Sequence, residues 1–272
     1  MDELNPQRAQ MADESMVRNL RAQAEAIWPQ ELPLIRRYGL PEDADILDAG
    51  CGTGEASRRL AEAFPRARVL GADILDHHLE RARAAATHLA DRVRFEHRTL
   101  FGLGLPEASF DLVVCRHVLQ SIPHAERAIA ELVRVTRPGG WLHLIAEDYG
   151  LIQMPRRRLD PLQFWPGVAA RFGAAVGTDM FVGRHAPAIL RGLGLERISA
   201  DVVVVDTLRV PRETFATIWE AWRDGFSGAI ADHGGLTRAE AIENFDDQIA
   251  AIRDPAEYAA WLVPVVAGRR PA

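Results

Sequence analysis

Three glycines, Gly50, Gly52 and Gly54, occupy alternate positions directly after a short apolar segment. Because glycine has no Cβ and tolerates positive φ angles, the main chain at such a turn can pass within contact distance of a ligand. The next residues, about 55 to 64, are predicted to form a helix, whose free N–H groups at its start favour an anionic group. The pattern therefore predicts a turn that holds a nucleotide-like ligand.

A second signal is Asp73, an acid at the end of another apolar segment, 69–73. This spacing lets a carboxylate accept hydrogen bonds from both hydroxyls of a ribose bound at the glycine turn. A dinucleotide-binding turn requires a third small residue, and this chain has Glu55 there. A nicotinamide-dependent dehydrogenase is therefore a disfavoured alternative.

Groups that could move a proton follow two later apolar segments. His117 follows one of them, and histidine is the side chain that titrates nearest neutral pH. Glu147, Asp148 and Tyr149 follow the other, where they could hold an amine or a protonated heterocycle, or deprotonate a hydroxyl. Each group also has a structural alternative, in which the histidine holds a loop or the ligand and one acid caps the next segment.

Apolar segments alternate with helical patterns through the first half of the chain. Five of them are predicted strands, near 45–49, 67–73, 92–97, 110–116 and 140–147. Such alternation predicts a doubly wound parallel sheet with helices on both faces. In an open sheet of this kind the ligand lies at the carboxyl ends of the strands, which is where all the groups above are expected to meet.

Residues 1–39 are predicted to form an N-terminal helical cap on a domain that spans residues 40–272. Apolar residues recur at helical spacing from Glu14 to Trp28, and Pro29 is expected to end this helix because proline lacks an N–H group. The cap is expected to pack over the ligand side of the sheet.

Two insertions, 149–183 and 207–255, are predicted to act as lids, because the alternation of strands and helices lapses there. The first insertion contains Phe164, Trp165 and Phe172. These aromatic side chains are predicted to wall a substrate pocket, with packing in a core as the alternative.

The composition of the chain limits the classes of substrate and partner that are expected. The 272 residues carry a formal net charge of −6 and no dense block of Lys and Arg, which favours a small-molecule substrate over nucleic acid. Cys51 and Cys115 are predicted to be buried, reduced thiols. Since neither a signal peptide nor a membrane span is recognisable, a cytoplasmic protein without membrane contact is expected, with a homodimer as an open alternative to a monomer.

Four segments in register resemble motifs of the class I S-adenosylmethionine-dependent methyltransferases that act on small molecules. Residues 48–55 resemble motif I, 71–73 the ribose-binding acid motif, 110–114 the fourth strand, and 137–142 the turn into the fifth. The resemblance implies a seven-stranded, mostly parallel Rossmann-like sheet. Its last strand, predicted at 261–268, would run antiparallel.

The resemblance also implies S-adenosylmethionine as the cofactor. Its binding residues would be Asp48, Gly50, Gly52, Gly54, Asp73, Ile74, Thr99, Leu100 and Arg116. Asp48 would order the turn or accept a hydrogen bond from the cofactor's amino group. Thr99 stands where the family has an acid, so its hydroxyl would accept one hydrogen bond from the adenine amine, and the N–H of Leu100 would serve a ring nitrogen. No metal is predicted, because the chain lacks metal-ligand spacing and an acid at the end of the fourth strand.

The implied reaction is transfer of a methyl group to a small organic acceptor, with His117, Glu147, Asp148 and Tyr149 as candidate catalytic residues. Nitrogen is favoured as the acceptor atom, because two adjacent carboxylates would hold an amine. The alternatives are transfer to oxygen or carbon, transfer to a macromolecule such as tRNA, and a protein that binds the cofactor without turnover.

Overall fold

The computed structural model describes residues 4–158 and 160–272, so the first three residues of the predicted cap and residue 159 of the first predicted lid lie outside the described residues. Within the described ranges, eight strands form one sheet. They are β1 (Asp45–Ala49), β2 (Arg68–Asp73), β3 (Val93–His97), β4 (Phe110–Arg116), β5 (Thr136–Ile145), β6 (Ile152–Gln153), β7 (Glu196–Asp206) and β8 (Ala260–Arg269).

The strand order is β3-β2-β1-β4-β5-β8-β6, and β7 also pairs with β8. Strands β1 to β5 run parallel to one another, whereas β8 runs antiparallel to β5, β6 and β7. The predicted doubly wound, mostly parallel sheet with an antiparallel last strand is confirmed. The eight strands exceed the predicted seven by one, since the two residues of β6 add a short strand beside β8.

Helices flank the sheet and extend beyond it. They are α1 (Arg8–Met11), α2 (Glu14–Arg36), α3 (Glu55–Ala63), α4 (Asp76–Ala85), α5 (Ala125–Val135), α6 (Pro161–Gln163), α7 (Ala169–Val176), α8 (Val182–Gly192), α9 (Arg212–His233) and α10 (Arg238–Arg253). A π-helical turn, Phe164–Val168, joins α6 to α7. Of the helices in the described ranges, none is both long enough and apolar enough to cross a membrane.

Strand β1 shows how the sheet separates two hydrophobic cores. Leu47 packs in the core that α5 and α8 cover, whereas its neighbour Ile46 packs in the core that α3 and α4 cover. Successive side chains of a strand point to opposite faces, so one strand contributes to both cores. The adjacent strand β4 is buried from Leu112 to Cys115, as expected for a strand covered on both faces.

The cap helix α2 runs from Glu14 to Arg36, so the prediction that Pro29 ends it is wrong. Pro29 and Pro33 are exposed and lie one turn apart on the same face. The carbonyl groups that they leave without an N–H partner therefore face water and can bond to it. The opposite face buries Ile27 and Ile35 completely, and this packing stabilises the helix across both prolines.

The two predicted lids enclose a third core with α2. The first contains a 3-10 turn, Tyr149–Leu151, followed by β6, α6, the π-helical turn and α7. The second forms the helical hairpin of α9 and α10, which packs on α2. This core contains several aromatic side chains, among them Trp165, Trp219 and Trp261.

Candidate active site

The glycine turn joins β1 to α3 at the carboxyl edge of the sheet. Gly50, Gly52 and Gly54 have φ angles of +77°, +52° and +75°, which side chains rarely allow. Close packing adds a second reason for glycine, because a Cβ at Gly52 would lie 2.8 Å from the Leu20 side chain of the cap helix. The turn therefore brings bare backbone between the sheet and α2.

Asp73, the last residue of β2, ties the neighbouring loops to the sheet. Its Oδ2 accepts a hydrogen bond from the N–H of Gly52 at 2.8 Å, and its Oδ1 accepts one from the N–H of Leu75 at 3.0 Å. A carboxylate has about four acceptor positions, so two remain for a ligand. Asp73 is only partly buried and lines the cavity described next.

A cavity of about 510 Å³ lies at the carboxyl ends of β1, β2 and β4. It brings together most of the residues predicted to bind a cofactor, namely Gly50, Gly52, Asp73, Ile74, Thr99, Leu100 and Arg116, together with His117. The cap forms its roof through Leu4, Asn5, Arg8, Met11, Met16 and Leu20. Five other predicted site residues, Asp48, Gly54, Glu147, Asp148 and Tyr149, do not line it.

Asp48 is buried beside the glycine turn rather than at the cavity. Its Oδ2 accepts a hydrogen bond from the hydroxyl of Ser57 in α3 at 2.6 Å. Burial raises the pKa of Asp48 to about 6, and the bond from Ser57 and the charge of Arg116 only partly offset this. Of the two roles expected for Asp48, this geometry fits the ordering of the turn.

The segment after β3 forms the far end of the cavity. Thr99 is exposed, and its Oγ1 accepts a hydrogen bond from the N–H of Phe101 at 3.3 Å. Leu100 is buried against the core. One residue that the sequence analysis missed, His78 of α4, also lines the cavity, and its buried Nε2 has no hydrogen-bond partner among the described residues.

His117 and Glu147 form a buried pair that joins the ends of β4 and β5. The Nδ1 of His117 lies 2.5 Å from the Oε1 of Glu147, and the two side chains are 7% and 1% exposed. An ionised carboxylate only accepts hydrogen bonds, so the proton of this bond resides on Nδ1. The backbone of His117 is held at φ +56°, and its N–H donates to the carbonyl of Ile145 at 2.9 Å. Nε2 of His117 and Oε2 of Glu147 are buried and have no partner among the described residues.

The two residues after Glu147 lie in different surroundings from the pair. Asp148 forms a bidentate ion pair with Arg184 of α8, with both N–O distances 2.6 Å, and its Oδ1 also accepts from the N–H of Gly150 at 3.0 Å. Its carboxylate is thus bound to protein groups, which does not support the substrate contact expected for it. Tyr149 stacks on Trp165 in the lid core, and burial raises the pKa of its phenol well above the ordinary value.

A buried network that the sequence analysis missed holds Arg116. Its Nε donates to Oε1 of Glu31 in α2 at 2.9 Å, and Nε2 of His143 lies 3.2 Å from the same oxygen. The hydroxyl of Tyr38 lies 2.7 Å from Nδ1 of His143. Burial raises the pKa of Glu31, but the charge of Arg116 and the contacts with His143 outweigh this and lower it to about 2. Glu31 was detectable as a lone acid on the apolar face of α2.

No three side chains of His, Cys, Asp or Glu in residues 4–158 and 160–272 converge as the ligands of a metal ion would. The chemistry that this edge of the sheet offers is therefore that of a cavity with a carboxylate, a bare backbone turn and a histidine–glutamate pair.

Comparison with known proteins identifies a domain in this chain. The family model described as a methyltransferase domain matches residues 46–140. Over 161 residues the chain is 35% identical to trans-aconitate 2-methyltransferase of Deinococcus radiodurans, with 58% of this chain and 60% of the relative covered. Over 160 residues it is 36% identical to 27-O-demethylrifamycin SV methyltransferase of Amycolatopsis mediterranei, with 58% and 56% covered. The chain thus spans somewhat more than half the length of these relatives.

Solved structures show the same fold. A protein of Bacillus halodurans superposes with a TM-score of 0.57 over 90% of this chain and 100% of that protein, at 15% identity. Phosphoethanolamine N-methyltransferase 2 of Haemonchus contortus, solved with S-adenosylmethionine, gives a TM-score of 0.58 over 90% of this chain and 53% of that one, at 17% identity. The predicted resemblance is confirmed, and the chain contains a methyltransferase domain of the class I, S-adenosylmethionine-dependent kind.

Proposed function

We propose that this protein transfers a methyl group from S-adenosylmethionine to a small organic acceptor. The observation that carries the proposal is the convergence of Gly52, Asp73 and His117 on one cavity of about 510 Å³. Cavities of roughly 300 to 1,000 Å³ are typical of sites for small molecules. The methyltransferase domain and the named activities of the relatives support the same conclusion.

The residues around the cavity fit this cofactor. The free acceptor positions of Asp73 suit the two ribose hydroxyls, and the backbone of Gly50 and Gly52 allows close approach of the methionine part. Ile74 and Leu100 offer apolar contact to a flat base. The unpartnered Nε2 of His78 is a further buried polar atom that a ligand would satisfy. When bound, the cofactor supplies a methyl group on a positively charged sulfur.

The His117–Glu147 pair supports a role in proton transfer. Because Glu147 holds the proton on Nδ1, the neutral imidazole has its lone pair on Nε2. A base in this tautomer would take the proton of an acceptor hydroxyl as the methyl group is transferred. Glu147 would stabilise the resulting imidazolium, as a buried carboxylate does in other histidine-carboxylate pairs.

This arrangement supports oxygen over nitrogen as the acceptor atom. The sequence favours nitrogen because Glu147 and Asp148 are adjacent acids that could jointly hold an amine. Asp148 is instead bound to Arg184, and Glu147 is bound to His117. A hydroxyl, which must lose a proton, has more use for the remaining base than an amine that arrives neutral.

The cap supports the exclusion of water from the reaction. Met16 and Leu20 of α2 line the cavity from the side of the cap, and Leu4 and Met11 extend this apolar part of the roof. A cover that excludes water strengthens the electrostatic interactions beneath it and helps to align the reacting atoms.

The test is release of S-adenosylhomocysteine from purified protein offered S-adenosylmethionine with phenols, aliphatic alcohols, amines and carboxylic acids. Turnover confined to hydroxyl compounds is the expected result. Turnover confined to amines would overturn the assignment of the acceptor atom, whereas turnover confined to carboxylic acids would keep oxygen as that atom but overturn the assignment of a hydroxyl. Binding of S-adenosylmethionine without turnover of any acceptor, in a panel extended to bulk RNA, would overturn the methyl-transfer proposal itself.

A further inference from the structure

A second cavity, of about 50 Å³, lies between the first lid and α9 and is separate from the cofactor cavity. Its walls include Tyr149, Phe164, Trp165, Met180, Trp222 and Phe245, and none of the side chains that line it carries a charge. We call it the aromatic cavity. The methyl-transfer proposal above makes no use of it.

The walls of the aromatic cavity are rings in stacked and edge-on contact. Tyr149 stacks on Trp165 with ring centroids 5.6 Å apart and planes 13° apart, and Trp222 meets Trp165 edge-on at 5.7 Å. Such surfaces favour another flat ring. An ionised group would lose its hydration there without a charged partner, which is strongly unfavourable. The occupant that fits these walls is neutral, planar and apolar.

Ring contacts connect the aromatic cavity to the His117–Glu147 pair. Trp222, a wall of the cavity, lies 5.2 Å from Trp261, and Trp261 lies 5.8 Å from His117 (both between ring centroids). Tyr149, another wall of the cavity, lies two residues after Glu147, and the charge of Glu147 helps to raise the pKa of its phenol. An occupant of the aromatic cavity would therefore lie close to the pair, and His117 also lines the cofactor cavity.

The aromatic cavity is too small for a ring unless its walls shift, because an apolar cavity that holds benzene has a volume of roughly 150 Å³. Two features allow such a shift. The π-helical turn Phe164–Val168 contributes three wall residues, and turns of this kind are frequent at functional sites. Met180 is another wall, and its unbranched thioether side chain adapts readily to new neighbours.

We propose that the aromatic cavity binds the apolar ring of the methyl acceptor, and that this acceptor is a neutral planar compound whose hydroxyl is directed toward His117. This inference rests on the proposed function, because the ligand of the aromatic cavity is a methyl acceptor only if the protein transfers a methyl group. Binding of such a compound does not require turnover, so the two can be tested apart.

The experiment measures binding of 2-naphthol by equilibrium dialysis to protein saturated with S-adenosylhomocysteine, which fills the cofactor cavity. Ala169 lines the aromatic cavity, and Ala169→Leu should fill it and weaken 2-naphthol binding about tenfold or more. Met180→Ala should enlarge it and raise the affinity for 2-naphthol relative to phenol by roughly threefold or more. The matched control is Leu162→Ala in α6 of the same lid, because Leu162 is 68% exposed and should leave both affinities unchanged.

The affinity for S-adenosylhomocysteine, measured on every variant, verifies that each one is folded. The proposal is overturned if intact protein binds aconitate, a charged and non-aromatic probe, but not 2-naphthol. It is also overturned if Ala169→Leu and Met180→Ala bind both naphthol and phenol as the unmodified protein does. Binding that responds as expected in a protein that methylates no acceptor would refute the proposed function and leave the assignment of the ligand class standing.

Discussion

Glu31 of the cap helix and Arg116 at the end of β4 form an ion pair that is almost fully removed from water. Glu31 is 0% exposed and Arg116 9% exposed, and the pair has N–O distances of 2.9 Å at both contacts. Arg116 also lines the cofactor cavity. One buried contact therefore couples the seating of α2 on the sheet to the position of a cationic side chain at the site.

Replacement of Glu31 by Gln should destabilise the protein strongly, because it leaves the Arg116 charge buried without a carboxylate. Breaking such a pair typically costs about 3 to 5 kcal/mol of unfolding free energy. The double variant Glu31→Gln with Arg116→Met should regain much of that loss, since it removes the uncompensated charge. Urea unfolding of the two single variants and the double variant measures the coupling.

The matched control for Glu31 is Glu25→Gln on the exposed face of the same helix, which should change stability by less than about 0.5 kcal/mol. Additive losses in the double variant would show that the ion pair is not coupled as its geometry indicates.

His117→Asn should lower kcat for a hydroxyl acceptor by about 10² to 10⁴ if His117 takes the proton. Asparagine is chosen because it tolerates the positive φ of 56° at this position better than most residues. Rate measurements across the pH range, with the exposed His185→Gln as control, separate this loss from a general effect of removing a histidine.

Glu147→Gln tests the partner in the same reaction. The amide is nearly the same size, but it no longer fixes the proton on Nδ1 or stabilises an imidazolium, so kcat should fall by roughly 10² with little change in cofactor affinity. An unchanged kcat in both variants would mean that the acceptor needs no base. Such an acceptor is a hydroxyl that reaches the site already ionised or an amine that reaches it neutral.

Asp73→Asn should remove most of the rise in melting temperature that saturating S-adenosylhomocysteine causes. The carboxylate loses its charge and one acceptor oxygen, so it can no longer serve Gly52, Leu75 and two ribose hydroxyls together. A ligand at about 100 times its Kd stabilises by about 2.7 kcal/mol, so the loss is measurable by thermal unfolding. The control is Asp76→Asn, at an exposed acid three residues further along the chain, which should keep the full rise.

Asp148→Asn should lower stability and leave kcat intact, in contrast to the catalytic role expected from the sequence. The side chain is 2% exposed and bound to Arg184 through both oxygens, so removal of the charge should cost about 1 to 3 kcal/mol. Arg184→Gln should produce a similar loss, and the two losses should not add. A large fall in kcat with unchanged stability would instead return Asp148 to the reaction.

The sequence predicts the candidate site best where its residues lie close together along the chain. The glycine turn and Asp73 are separated by one helix in a strand-turn-helix-strand unit, so their types and spacing alone predict that they meet. His117 and Glu147 are each predicted as candidate site residues, because each follows a strand of a parallel sheet. Their pairing was not predicted, since it depends on which strands are neighbours and on how the αL backbone of His117 directs its ring.

Contacts between distant segments account for what the sequence did not predict. Arg184 lies 36 residues after Asp148, and its ion pair binds the carboxylate that the sequence predicts to contact the substrate. Glu31 and Arg116 are 85 residues apart along the chain. They meet because helix α2 continues beyond Pro29, where tertiary packing rather than helix propensity stabilises it. In both cases the role of a charged side chain depends on an ion-pair partner that the local sequence pattern does not predict.

Asp48 should make stability fall as pH rises. Burial raises its folded-state pKa to about 6, whereas the unfolded value is about 3.9, so the folded state binds the extra proton between these values. Above about pH 6 the cost of holding the charged carboxylate is complete, on the order of 3 kcal/mol for this shift, and below about pH 4 it vanishes. Asp48→Asn, which keeps a hydrogen-bonding partner for Ser57, should remove this dependence.

Urea unfolding of the cofactor-free protein at about pH 4 and above pH 7 measures the effect of Asp48→Asn. The variant should match the unmodified protein at the lower pH and exceed it at the higher one. Asp91→Asn, at a side chain 76% exposed, is the control and should leave the difference between the two conditions unchanged. An Asp48 variant that is equally less stable at both pH values would mean that the carboxylate acts through packing at the glycine turn and not through its charge.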